Sequence, residues 1–161
     1  MKYAVIDVGS NTVRLCVYDV LCPEKRKFKT IMNRKIMAGL AAYIVDGAFS
    51  DEGIAEAILA VKKCIKRASY LSPDRIDVFA TAVLRNISNS AQAIAAIEQG
   101  AGCSISLLSN ADEAHLGFVG ASSRGTLGDG ALIDIGGGST EITVIENGID
   151  VARTSLPQGS L

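Results

Sequence analysis

Asp134-Ile135-Gly136-Gly137-Gly138-Ser139-Thr140-Glu141 follows the apolar run Ala131-Leu132-Ile133 and repeats the opening of the chain. There, Ala4-Val5-Ile6 leads into Asp7-Val8-Gly9-Ser10-Asn11-Thr12. Both copies read as a buried strand, then Asp-x-Gly, small polar residues and an alternating strand. Repetition at this distance points to two related lobes rather than to a short-period solenoid. An Asp leaving a strand into a glycine-rich hairpin sets a carboxylate beside exposed backbone N–H groups. Such amides can hold phosphate oxygens, and the carboxylate can hold Mg²⁺ directly or through water. Glycine is needed because a side chain would block close backbone approach or forbid the required dihedrals. One Asp-x-Gly is an ordinary turn signal; two matched copies carry much more weight.

Outward from the first copy, residues 12–20 alternate, with Val13, Leu15, Val17 and Asp19 on one side of the pleat, and predict a hairpin partner for the first strand. Residues 26–37 predict a third strand. Ser50-Asp51-Glu52 opens a helix, with Ser50 as N-cap and two acids suited to the positive helix start. Ile54, Ile58, Val61 and Ile65 then follow at helical spacing, and Lys62, Lys63, Lys66 and Arg67 take the wet face. Ser72-Pro73 stops this helix. A strand is expected over 76–80, an Ala-rich helix over 89–99 ending at Gly100, a strand over 104–108 and a helix over 110–120. Three antiparallel strands and two crossover units make an α/β lobe with one five-stranded mixed sheet, over residues 1–122. Residues 123–130 read as a linker, and 131–161 as the first strands of a second lobe, with a third strand near 148–155. A second lobe of the same plan would need about as many residues again, so the chain is expected to be the N-terminal part of a longer protein. Apolar edges left by such a cut favour pairing with another chain, as in a homodimer, or partial disorder.

The 161 residues are 48% hydrophobic and 20% charged, which is ordinary for a globular protein. A net charge of −1 argues against a dedicated nucleic-acid binder. The basic run Lys25, Arg26, Lys27, Lys29, Arg34 and Lys35 reads as a solvated face protecting a sheet edge, or as help in attracting a polyanion. No stretch approaches the roughly 18–20 apolar residues that span a membrane. The N-terminus enters a strand directly, without the pattern of a secretion signal, so a cytoplasmic setting is expected. Cys16, Cys22, Cys64 and Cys103 lack metal-ligand spacing and read as reduced, mostly buried small residues. A P-loop reading fails for want of Gly-Lys-Ser/Thr. A dinucleotide fingerprint fails because strand-like Ile142-Thr143-Val144 follows the glycines where a helix is needed.

Asp7-Val8-Gly9-Ser10-Asn11-Thr12-Val13-Arg14-Leu15 resembles the first phosphate motif of the exopolyphosphatase/guanosine pentaphosphate phosphatase family, and Asp134 to Glu141 resembles its second. Between them, Ala80-Thr81-Ala82-Val83-Leu84-Arg85 is similar to the family's Ala-Thr-x-x-x-Arg segment. Ser109-Asn110-Ala111-Asp112-Glu113-Ala114-His115-Leu116 is similar to its Ser-Gly-x-Glu-Glu-Ala-Arg-Leu segment, and Leu156-Pro157-Gln158-Gly159 is a fifth, weaker match. The resemblance implies a ribonuclease H-like, actin-type fold. It also implies Mg²⁺-dependent hydrolysis of a terminal phosphoanhydride, in polyphosphate or guanosine pentaphosphate. On the matching positions, Glu113 would be the base acting on the attacking water, and Arg85, with Arg14, would bind the phosphoryl group. Ser10, Asn11 and the Gly136, Gly137, Gly138 and Ser139 amides would hold phosphate oxygens. Asp7, Asp134 and Glu141 would surround the metal. Phosphoryl transfer fits such a set, because it needs positioned charge and an in-line water more than covalent chemistry.

Each assignment has a plainer rival. Asn110-Ala111-Asp112-Glu113 is also a capping box with Glu113 turning back on the helix start. Arg85 could be a surface residue at a helix entry, and Glu141 an exposed strand residue. His115 stands where the family shows Arg and reads as an exposed helix residue. Two further functions stay open: an ATP-dependent kinase of the same superfamily, and a non-catalytic phosphate or nucleotide sensor. Without the rest of the second lobe, turnover is expected to be weak or absent.

Overall fold

A computed structural model describes residues 1–24, 27–123 and 125–161. Lys25 and Arg26 of the basic run and Arg124 of the expected linker lie outside the described residues. Packing divides the chain into two units, Met1–Leu107 and Leu108–Leu161.

The first unit opens with an antiparallel meander of β1 (Lys2–Val8), β2 (Thr12–Cys22) and β3 (Lys27–Met37). Ala4, Ile6 and Val8 on β1 and Val13, Leu15 and Val17 on β2 are fully buried. Their spacing of two puts them all on one face of the pleat. β3 is the edge strand and is exposed along most of its length. Its Lys27, Lys29, Arg34 and Lys35 keep that edge wet, as a charged edge should. A 3₁₀ turn (Leu40–Tyr43) then leads into a small hairpin, β4 (Ile44–Val45) and β5 (Ala48–Phe49). Asp46 and Gly47 turn it with φ of 49° and 76°, the two positive values that a two-residue hairpin loop requires. The sequence reading placed no element here.

α1 (Asp51–Ser69) begins at the expected cap, with the Gly53 N–H donating to Ser50 Oγ at 3.2 Å. The expected apolar side faces the core, and its deepest line is made of smaller residues. Gly53, Ala57, Ala60, Val61, Cys64 and Ala68 are buried, whereas Ile54, Ile58 and Ile65 flank the core and are partly buried. Small residues let the helix lie close on β1 and β2, and the larger ones close the margins. β6 (Arg75–Ala80) runs parallel to β1. α2 (Ala82–Arg85), a single turn that the sequence reading missed, and α3 (Ser90–Ala101) follow, and β7 (Ser106–Leu107) pairs parallel with β6. Gly100 is not the end of α3. The cap is Gly102 at φ 69°, and Gly100 instead makes room for Ile58, whose Cδ1 would lie 2.5 Å from a β-carbon there. The sheet order β3-β2-β1-β6-β7 is the expected five-stranded mixed sheet of an actin-type α/β lobe.

Asn89 fastens the small hairpin to this frame. Its side chain accepts from the Phe49 N–H at 2.8 Å and donates to the Phe49 carbonyl at 2.9 Å. Ser88 donates to the Gly47 carbonyl from both its N–H and its hydroxyl.

The second unit consists of α4 (Asn110–Ser122) and an antiparallel sheet of β8 (Gly130–Ile135), β9 (Thr140–Glu146) and β10 (Ile149–Leu156), in the order β10-β9-β8. The sequence reading placed the helix over 110–120 with the first lobe and drew the boundary at 122. By packing, α4 goes with the strands that follow it. Thr143 Oγ1 donates to the Ala114 carbonyl at 3.4 Å, and Asp134 Oδ2 lies 3.7 Å from where a β-carbon on Gly117 would stand. Asn147 and Gly148, at φ 53° and 75°, turn β9 into β10.

All four cysteines are free thiols, as expected, and burial pushes the thiols of Cys64 and Cys103 above their usual range. No helix among the described residues is long and apolar enough to cross a membrane.

Candidate functional site

The two Asp-x-Gly loops share one geometry. In the first, the Gly9 N–H donates to the Thr12 carbonyl at 3.1 Å; in the second, the Gly136 N–H donates to the Ser139 carbonyl at 2.9 Å. A β-carbon on Gly9 or Gly136 would press to 3.2 or 3.1 Å from those same carbonyl oxygens, so both glycines are there for close approach. The strand registers also coincide. Asp7 stands opposite Arg14, and Asp134 stands opposite Glu141. The position facing the aspartate is therefore cationic in one loop and anionic in the other.

In the first unit, Asp7 is exposed, Ser10 is buried at the loop tip, and Asn11 and Arg14 are half-buried. The Arg14 Nε donates to Asn33 Oδ1 on β3 at 3.1 Å. Asn33 was not singled out in the sequence, because nothing local ties it to a residue nineteen positions away. Arg85 ends α2, half-buried, with its backbone N–H on the Thr81 carbonyl.

In the second unit, Glu141 is 4% exposed, so it is not the exposed strand residue of the plainer reading. Ser155, opposite it on β10, donates to its Oε1 at 2.8 Å. Asp134, Glu141 and Ser155 share the side of the sheet that carries α4. Glu113 lies one turn before Gly117 and so on the same helix face, which directs it to that side as well. The unit thus sets Asp134 and Glu141 opposite each other on the sheet side that carries α4, the helix on which Glu113 lies. Like charges directly opposite in a sheet repel, so the Asp134–Glu141 pair is suited to a cation. Among the described residues, no group of three or more metal-type side chains is already assembled. Ser139 is buried, and Gly136, Gly137 and Gly138 are half-buried.

The capping box sits one residue earlier than the sequence suggested. Ser109 is the N-cap of α4: its Oγ accepts from the Asp112 N–H at 3.1 Å and donates to Asp112 Oδ2 at 2.6 Å. Glu113 is therefore not the cap partner. His115 is likewise not a plain exposed helix residue. Its Nδ1 is 2.7 Å from Asp150 Oδ2, which also accepts from Arg153 Nε at 2.6 Å. The hydrogen bond from His115, then that from Arg153, holds the Asp150 carboxyl below its usual range.

The segment after β10 closes over the second loop. Ser160 and Leu161 N–H groups donate to the Gly136 and Gly137 carbonyls at 2.9 and 3.2 Å, and Thr140 Oγ1 donates to the Gln158 carbonyl at 2.6 Å. The weak fifth motif is thereby placed against the second phosphate motif, a contact no sequence spacing revealed.

Comparison with known proteins agrees with this architecture. The family model described as the Ppx/GppA phosphatase family matches residues 22–161. An exopolyphosphatase from Cytophaga hutchinsonii is 25% identical with a TM-score of 0.88, over 99% of this chain and 51% of that one. A Ppx/GppA family member from Aquifex aeolicus is 24% identical with a TM-score of 0.81, over 99% of this chain and 52% of that one. The ethanolamine utilization protein EutJ from Carboxydothermus hydrogenoformans shares the fold more loosely, with a TM-score of 0.58 at 23% identity, over 99% of this chain and 53% of that one. The chain thus spans about half the length of these structures. On the family match and the paired loops together, it belongs to the Ppx/GppA phosphatase family.

Proposed function

We propose that this chain supplies the phosphate-handling loops and the base of a phosphoanhydride hydrolase, acting on the terminal phosphate of inorganic polyphosphate, with guanosine pentaphosphate as the second candidate substrate. The observation that carries this reading is the helix–sheet seam of the second unit. There Asp134 and Glu141 stand opposite each other where the strands meet a glycine loop whose amides suit phosphate oxygens, and the proposal adds Glu113 from the adjoining helix. The family membership and the exopolyphosphatase neighbour support the substrate class.

In this reading, the amides of Gly137, Gly138 and Ser139, with Ser10 and Asn11, hold phosphate oxygens, and Arg14 and Arg85 neutralise the phosphoryl charge. Glu113 orients a water and takes its proton as the water's oxygen bonds to phosphorus and the bridging oxygen leaves. The hard carboxylate oxygens of Asp134 and Glu141, with Asp7, fit Mg²⁺, which commonly takes one or two carboxylates beside substrate phosphates and waters. When bound, the ion would neutralise phosphate charge. A cytoplasmic setting belongs to the same proposal.

The test is Mg²⁺-dependent phosphate release from each substrate, with Glu113→Gln alongside. Release that Glu113→Gln lowers about a hundredfold or more supports the hydrolase. Release that survives the substitution removes Glu113 from the reaction. Polyphosphate binding without release, unchanged by Glu113→Gln in this chain and in one extended to the length of its structural neighbours, makes the protein a sensor.

A further inference from the structure

We infer that the segment Gln158 to Leu161 is a positioning strap, with Gly159 its determining residue, that fixes which way the amides of the second glycine loop point. The inference rests on the phosphate-binding reading above and deepens it.

A trans peptide is planar, with its C=O and N–H directed to opposite sides. No peptide among the described residues is cis. The Gly136 carbonyl accepts from the Ser160 N–H at 2.9 Å and from Ser160 Oγ at 3.2 Å, and the Gly137 carbonyl accepts from the Leu161 N–H at 3.2 Å. Two successive peptide planes are thereby held by their oxygens. Their other ends, the N–H groups of Gly137 and Gly138, must then face away from the strap. Glycine planes left to themselves flip at little cost, so the strap supplies the order that the loop sequence lacks.

Gly159 makes the contact feasible. A β-carbon there would overlap the Gly137 carbonyl group and stand 2.6 Å from Gly138 N. Those are backbone atoms, which cannot rotate aside as a side chain would. Any other residue at 159 must lift the strap or displace the loop. Thr140 holds the strap on its other flank through the Gln158 carbonyl.

The first loop carries a similar device from a different sequence, shifted by one position along the motif. The Ser10 carbonyl accepts from the Ala41 N–H at 2.8 Å, and the Asn11 carbonyl accepts from Ala38 and Gly39 at 3.1 and 2.9 Å. There too the strap is the stretch leaving the third strand of the meander. Two independent segments that grip the carbonyl side of two matched loops argue that orientation of the opposite side is what is being controlled.

The test uses inorganic triphosphate with Mg²⁺, titrated into ¹⁵N-labelled wild type, Gly159→Ala, Ser160→Pro and Gly138→Pro, with urea midpoints measured for each. Ser160→Pro deletes both Ser160 donors without adding bulk at 159, and Gly138→Pro deletes a loop amide directly. The expected result is that wild type binds with shifts at the Gly137 and Gly138 amides. Gly159→Ala and Ser160→Pro should each lose about tenfold or more in affinity and lose those shifts, while the Thr143 and Ile145 resonances stay in place. A purely structural role would move the urea midpoint and leave the amide response intact. If Gly159→Ala and Ser160→Pro bind as wild type does while Gly138→Pro fails, the strap idea is overturned and the loop reading stands. If wild type fails to bind, or Gly138→Pro binds equally well, the loop reading falls and the strap with it.

Discussion

Ser109 and Asp112 close the start of α4 on each other, one giving its hydroxyl to the carboxylate and receiving the backbone N–H in return. Removing this cap should weaken the helix that carries Glu113. Ser109→Ala is expected to cost about 1 kcal/mol in urea unfolding, and Ser109→Thr to keep most of it. Equal stability of Ser109→Ala and wild type would mean that α4 is held by its packing alone.

Asp150 predicts a pH dependence. Its carboxyl is held below the usual range by His115 first and Arg153 second. A carboxylate more acidic when folded than when unfolded contributes stability above its unfolded value and loses it as pH falls through the folded one. Urea midpoints should therefore drop on acidification below the ordinary carboxylate range, and Asp150→Asn should flatten that part of the curve. An unchanged slope in the variant would assign the acid loss to other carboxylates.

Two glycines that both sit against bulky neighbours should respond differently to alanine. At Gly53 the added carbon would meet Tyr43 Cβ at 2.6 Å, an atom fixed to the backbone. At Gly100 it would meet Ile58 Cδ1 at 2.5 Å, the end of a side chain that can change rotamer. Gly53→Ala is expected to lose about 1–3 kcal/mol from overpacking. Gly100→Ala should stay within about 1 kcal/mol of wild type, because gained helix propensity offsets the crowding. Thermal melts of the two variants decide the point, and the reverse order would refute it.

Asn89 both accepts from and donates to Phe49, which only an amide can do at that position. Asn89→Asp, although nearly isosteric, should be as destabilising as Asn89→Ala, since its second oxygen would face the Phe49 carbonyl. Proteolysis near residues 44–49 reads the release directly. An aspartate variant that protects like wild type would show that the acceptor half suffices.

If Asp134 and Glu141 hold a divalent cation, chelation should abolish phosphate release and Mg²⁺ should restore it. Asp134→Asn should raise the Mg²⁺ concentration needed for half-maximal release about tenfold or more. Full activity in chelator would set both acids a different task.

The strands and the two loops were legible in the sequence because their signals are local. Alternation put Val13, Leu15 and Val17 on one face, and Asp-x-Gly marked the turns that follow β1 and β8. Asp46-Gly47, flanked by Ile44-Val45 and Ala48-Phe49, was an equally local hairpin signal and went unread. The isoleucine spacing showed the apolar side of α1, but not that close packing on a sheet selects Ala57, Ala60 and Ala68 for its deepest line. What could not be read were pairings between distant positions: Arg14 with Asn33, Glu141 with Ser155, His115 with Asp150, and Gly159 with Gly137. No spacing encodes these, since they exist only once the strands have set their register.

The fastening of the small hairpin by Ser88 and Asn89 reaches further than its own stability. The hairpin is continuous with the stretch that grips Ser10 and Asn11, and Ser88 and Asn89 follow within four residues of Arg85. Arginine-bearing turn and first loop are therefore two ends of one tether inside the first unit. If Arg85 meets a bound anion as proposed, substitutions that loosen Ser88 or Asn89 are expected to disturb the first loop along with the arginine.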